Sequence, residues 1–222
     1  MGKEAIYGAG AVSAVLLGWG GATMLRLPAG DASILVAKIV FFYAPAAFAA
    51  VLAAAVSLAA SVLFLRTKEL RYDALAVSAT EAGLIFLAVN LVTGCIWGHA
   101  RRGLWWTWDP AISSALVCGL VYTSYLMLRR AVEEPTQCAS FSAVWSIFCF
   151  LDCPIAIAAV YRWRGQHPHP ALWAGVPSGW LAALAWNTAG MLAMGVAIVL
   201  LRMRQEAVER ELDSLRRTVH VI

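Results

Sequence analysis

The sequence predicts an all-α integral membrane protein: a six-transmembrane-helix bundle with a Trp-rich loop on its outer face and a short cytoplasmic C-terminal helix. Three observations carry this. Of the 222 residues, 61% are hydrophobic and only 14% charged, with mean hydropathy +0.72; a soluble domain is about half apolar and a quarter charged. The apolar residues gather in six runs, each close to the ~20 residues that cross a bilayer as a helix. Short polar segments separate the runs.

The first span covers residues 5–25 and is rich in Gly and Ala; its apolar run continues as a full span, unlike a cleavable signal. A polar break follows at 26–31. The next apolar run, 33–65, is too long for one crossing, so the second helix starts near Phe41 and the part holding Lys38 is an interfacial lead-in. Residues 66–73 form a charged turn and 74–97 the third span. The fourth span, 111–128, ends at Arg129 and Arg130; a polar turn at 131–137 leads to the fifth span, 138–160. A connection at 161–178 holds Trp163, His167, His169 and Trp173, and the sixth span is 180–201.

Residues 1–202 therefore read as the six-span domain and 203–222 as an amphipathic cytoplasmic tail. In the tail, Val208, Leu212, Leu215, Val219 and Ile222 follow a heptad stripe, and Glu206/Arg210 and Asp213/Arg217 are favourable i, i+4 pairs. Six spans put both termini on one side. With the termini inside, the inner segments hold eleven of the seventeen Lys and Arg residues and the outer segments six. That bias places the termini in the cytoplasm. The Trp-rich and His-bearing connections then share the outer face. The net charge of +4 speaks to this orientation rather than to nucleic acid.

Five cysteines, Cys95, Cys118, Cys138, Cys149 and Cys153, form no CxxC pair, which argues against a disulfide framework or a zinc site and for packing. No GxSxG, HExxH or nucleotide-binding loop is present, so hydrolase and ATPase functions are excluded on motif grounds. Glu81 and Asp152 lie inside spans, where carboxylates are costly; neither is placed in the site.

The most informative stretch is 97–110, WGHARRGLWWTWDP, which holds four of the chain's ten tryptophans. A tryptophan has a flat apolar body and one polar N–H, so it suits a surface wet at one end. Four of them around two glycines and two arginines form a platform for a large flat ligand. Asp109-Pro110 reads as an N-cap followed by Pro at the first helical position. With His99, His167 and His169 on the same face, the residue types match the needs of haem: an aromatic surface, cations for two carboxylates and an axial imidazole.

These residues resemble a known family. Trp97-Gly98, Gly103, Trp105-Trp106 and Trp108-Asp109 are similar to the WWD signature of haem-handling proteins in cytochrome c maturation, and the six-span CcmC branch is the best match. Support comes from Lys38 and Pro45 at the second span, residues 91–94, Pro154, and Trp163 with His167. The resemblance implies a protein of the bacterial inner membrane that holds haem b at the outer face. Such a protein presents the haem to the chaperone CcmE and works with CcmD and the ABC transporter CcmAB. It would not itself be an enzyme.

On that resemblance the site comprises Trp97, Gly98, Trp105, Trp106, Trp108, Asp109 and Trp163. Lys38, Arg101 and Arg102 face the carboxylates, and His167 binds iron. The chain departs from the family pattern at Tyr43, which stands where a histidine two residues before proline is expected, at Arg102 in place of an aromatic, and at Ala111 in place of a basic residue. The second axial position is accordingly open among Tyr43, His169 and His99, or the iron is five-coordinate. Two other functions stay in view: a haem lyase component of the CcmF or CcsA type, and a haem-exporter permease subunit using a polar path through Glu81, Asn90 and Asp152.

Overall fold

The computed structural model describes residues 3–27, 38–162 and 178–220. Six helices make up nearly all of them: α1 (Lys3–Arg26), α2 (Val40–Thr67), α3 (Leu70–Arg102), α4 (Pro110–Ala131), α5 (Pro135–Arg162) and α6 (Ser178–His220). No strand occurs among the described residues. All six helices are long and apolar enough to cross a membrane, and the chain is a six-span helical membrane protein.

The helices pack as three pairs. α2 and α3 form the centre, α1 with α6 flanks one side, and α4 with α5 flanks the other. Lipid tails remove the hydrophobic drive between helices, so close approach at small residues must hold them. Gly190 on α6 shows this: a Cβ there would come within 2.7 Å of Leu17 Cγ and 3.0 Å of the Leu17 backbone nitrogen. Next to it, the Ser13 hydroxyl donates to the Gly190 carbonyl at 3.0 Å. Small polar groups tie the other pairs together. Ser57 of α2 meets Thr80 of α3 at 2.8 Å and Ser146 of α5 at 3.2 Å, and Trp145 of α5 donates its indole N–H to Ser124 of α4 at 3.0 Å.

At the end of the bundle where α3 begins and α6 leaves, a buried ion network replaces apolar contact. Asp73, 4% exposed, receives Arg129 through both oxygens, at 2.6 and 3.0 Å, and Arg210 at 2.8 Å. Glu206 pairs with Arg210 at 3.0 Å, the i, i+4 contact the sequence suggests. Glu81, one of the two intramembrane carboxylates, forms a two-pronged pair with Arg202 of α6. It is an interhelical tie.

Two helices run past their sequence-predicted ends. α6 continues unbroken from the last span into the tail, because residues 203–220 contain strong helix formers and no Gly or Pro. The Asp213/Arg217 pair and Ile222 lie outside what the structure describes. α3 begins at Leu70 and extends to Arg102, so the first six residues of the 97–110 stretch are helical and the true connection is 103–109.

Replacing Asp73 by Asn takes the close carboxylate from Arg129, whose side chain is 14% exposed and whose other acidic neighbour, Glu206, stands at 3.8 Å, while Arg210 keeps Glu206 at 3.0 Å; breaking a buried pair at one partner costs about 3 kcal/mol or more. A clear fall in the melting temperature of the detergent-solubilised protein is expected. Glu69→Gln, at an ion pair whose side chains are 48% and 67% exposed, should cost about 0.5 kcal/mol or less. Equal losses for the two variants would contradict the buried network.

Candidate functional site

The connection between α3 and α4 is fixed at both ends by local backbone chemistry. Gly103 adopts a left-handed conformation (φ 73°), and its N–H closes onto the His99 carbonyl at 2.8 Å, which stops α3. Six residues later Asp109 caps α4: its Oδ1 accepts from the Ala111 N–H at 3.0 Å, with Pro110 in the first helical turn. This is the cap that the Asp-Pro pair predicts. Asp109 is 7% exposed, so it sits inside the loop base rather than on its surface.

Between these caps the tryptophans are presented outward. Trp105 is 60% and Trp108 80% exposed, unusual for the largest apolar side chain. His99 stacks on Trp105, with ring centroids 4.1 Å apart and planes 6° from parallel. Trp106 meets Trp108 edge to face at 5.7 Å. Arg101 and Arg102, on the last turn of α3, both lie over Trp97 at 5.7 Å. Arg102 also reaches forward to Thr107 at 3.4 Å, bridging helix and loop. The result is an aromatic rim with guanidinium groups at its base.

Lys38 takes a different position from Arg101 and Arg102. It is buried, and its ammonium donates to the Leu27 carbonyl at 3.2 Å. Tyr43 lies beneath the rim rather than on it. Its backbone carbonyl accepts from Asn90 Nδ2 at 3.0 Å. Its ring packs on Gly94, where a Cβ would come within 3.1 Å of Tyr43 Cε2. Trp163, His167 and His169 lie outside the described residues, as does Trp173.

The structure gives three residues already named from the sequence a shared role that motif reading did not supply. Asn90, Gly94 and Gly98 follow i, i+4, i+8 spacing and are all buried on one face of α3. Asn90 holds α2, Gly94 admits the Tyr43 ring, and Gly98 admits the loop: a Cβ at Gly98 would approach the Leu104 carbonyl at 3.4 Å. The signal available in the sequence was that spacing, two glycines and an amide on one stripe of an apolar helix. Below this face, Tyr43, Asn90 and Ala111 open onto an apolar cavity between the α2/α3 and α4/α5 pairs.

A family model described as heme exporter protein C matches residues 3–218. The heme exporter protein C of Paracoccus denitrificans is 31% identical over 184 residues, covering 80% of this chain and 76% of that protein. That of Rhodobacter capsulatus is 29% identical over 186 residues, with the same coverage of 80% and 76%. A shorter similarity, 33% over 95 residues, links 41% of this chain to 29% of the cytochrome c biogenesis protein CcsA of a Synechococcus strain. With nearly the whole length matched by one family and an exposed tryptophan rim at the place where the signature falls, the chain belongs to the CcmC family.

Proposed function

We propose that this chain binds haem b on the outer face of the bacterial inner membrane and hands it to a periplasmic chaperone of the CcmE type. It works beside CcmD and the CcmAB transporter and performs no chemistry of its own on the porphyrin. Membership of the CcmC family gives it a part in haem handling for c-type cytochrome maturation. The observation that carries the finer reading is the pair of exposed indoles, Trp105 and Trp108, on a connection pinned by Gly103 and Asp109.

Haem needs an apolar face, cations for its carboxylates and a donor for its iron. Trp105 keeps one face on His99 and offers the other. Arg101 and Arg102 stand where carboxylates of a porphyrin on the rim would fall, and a guanidinium can meet each through two N–H groups. Lys38 joins them only by giving up the Leu27 carbonyl. In this reading His167 supplies the imidazole and Trp163 adds aromatic surface, as the resemblance implies, and His169 or Tyr43 takes the other side of the iron. The excess of basic residues near the termini supports a cytoplasmic placement for both ends and an outer placement for the rim.

The similarity to CcsA favours a second reading, a haem lyase component, over the part of the chain it covers. The permease reading has less to rest on. Glu81 is bound to Arg202 and Asn90 to the Tyr43 carbonyl, so these two groups serve as ties between helices rather than as a polar path.

In a haemin titration of the purified protein, His167→Ala should weaken or shift the Soret band; an unchanged spectrum removes His167 from the site. Trp108→Ala should weaken binding about tenfold, which is about 1.4 kcal/mol. Asp109→Ala removes a cap worth about 1 kcal/mol and should lower thermal stability and haem affinity together, whereas Asp109→Ser, which still caps, should restore both. Loss of affinity that Ser does not restore would assign Asp109 a direct contact with the ligand instead.

A further inference from the structure

The cavity beneath Tyr43 encloses about 140 Å3. An apolar cavity of about 150 Å3 holds a benzene, so this one takes about six carbons. It runs from Tyr43 to Ala54 along α2, eleven residues or about 16 Å, close to half of the ~30 Å hydrocarbon core of a bilayer. Its walls are cut back to Ala47, Ala50, Gly83 and Ala115, which gives a thin slot rather than a packed core, and no charged residue lines it.

Water has little to hold it there. Thr80 meets Ser57 at 2.8 Å, Asn90 donates to the Tyr43 carbonyl at 3.0 Å, and the Ser114 hydroxyl donates to the Ala111 carbonyl at 3.1 Å. The thiols of Cys118 and Cys153, also on the wall, behave as small hydrophobes. The Tyr122 hydroxyl has no hydrogen-bond partner among the described residues, but one polar atom falls short of the two to four partners that a buried water needs. Left empty, such a space forfeits the dispersion contacts of its walls.

The slot opens sideways, between α2 and α5. In the half of the bundle away from the tryptophan loop these helices touch: Ser57 meets Ser146 at 3.2 Å, and Phe64 packs with Ala139 and Ala143. Beyond Pro154, α5 instead lines the slot with Ala156 and Ile157, while α2 lines it with Ala47 and Val51. Ile157 is 43% and its neighbour Ile155 62% exposed, so the bilayer reaches the edge of the slot.

We propose that the slot is a lipid site, in which the end of one phospholipid acyl chain enters between α2 and α5 and fills the space under Tyr43. Three features select this occupant. The uncharged wall gives no hold to a carboxylate or phosphate. About 140 Å3 spread along about 16 Å is the section of a single chain, too thin for a helix about 10 Å across. The opening faces hydrocarbon, where acyl chains are the solvent. The headgroup stays outside the slot. The chain supplies the contacts that Ala47, Ala50 and Ala115 are too small to make, and it supports Tyr43 from the side away from Gly94.

The test uses the full-length protein in phosphatidylcholine nanodiscs doped with phosphatidylcholine that carries a diazirine at the end of one acyl chain. Photolysis should place adducts at Ala50 and Ala54 on α2 and at Ala115 and Cys118 on α4. It should also label Phe148 and Leu151 of α5, which are 57% and 59% exposed and serve as a control for lipid contact in general. Ala50→Leu and Ala115→Leu each add three carbons to a space for about six. Each should cut the slot adducts about tenfold and leave those at Phe148 and Leu151 unchanged. In lipid-depleted detergent the melting temperature of each variant should equal or exceed that of the unmutated protein, because the added carbons fill a space. No slot adducts in the unmutated protein, or slot adducts that persist in both variants, overturns the lipid site. So does a clear fall in melting temperature for both variants, which would show walls already packed.

Discussion

The proposed site depends on the arrest of two helices a few residues apart. Gly103 ends α3 by turning left-handed, and Asp109 begins α4 by capping it. Between them Trp105 and Trp108 stay 60% and 80% exposed rather than entering the helical core. Exposed indoles normally cost a protein solubility and stability. Here backbone geometry holds them outward, on a connection that Arg102 braces from the last turn of α3 through Thr107. A flat apolar ligand with acidic edges is the complement of that surface.

The same helix face that sets the rim also joins it to the bundle interior. Asn90, Gly94 and Gly98 stack at one-turn intervals, and each admits a neighbour: the α2 backbone, the Tyr43 ring and the loop itself. The rim and the slot below it are therefore two ends of one construction. Tyr43 sits at the junction, with its ring against α3 and the slot at its side. At the opposite end, Asp73, Arg129 and Arg210 lock α3, α4 and the α6 extension together.

The six spans were legible because lipid imposes a single rule, about 20 apolar residues in a helix, and the sequence obeys it six times. The Asp-Pro cap was legible because capping is local chemistry. The extension of α3 to Arg102 was not: Gly98, His99 and two arginines after Trp97 carry the composition of a loop, and only the left-handed stop at Gly103 shows where the helix ends. The pairing of α1 with α6 was equally hidden. Helices apolar on every side carry no amphipathic stripe to reveal a partner, and Gly190 against Leu17 is a fact of three-dimensional fit. The slot was invisible for the same reason, since alanines that line a cavity look like alanines that pack. The contribution of His167 and Trp163 rests on the resemblance alone.

The central claim is that the indoles between Gly103 and Asp109 lie against the porphyrin. Fluorine NMR of protein labelled with 5-fluorotryptophan, titrated with ferric haemin, tests it directly, because paramagnetic iron broadens nearby resonances steeply with distance. The account predicts that the signals of Trp105, Trp106 and Trp108 broaden and vanish as the Soret band grows, while that of Trp145, held by Ser124 between α4 and α5, stays sharp. A Soret band that saturates while the three rim signals remain unmoved would contradict it.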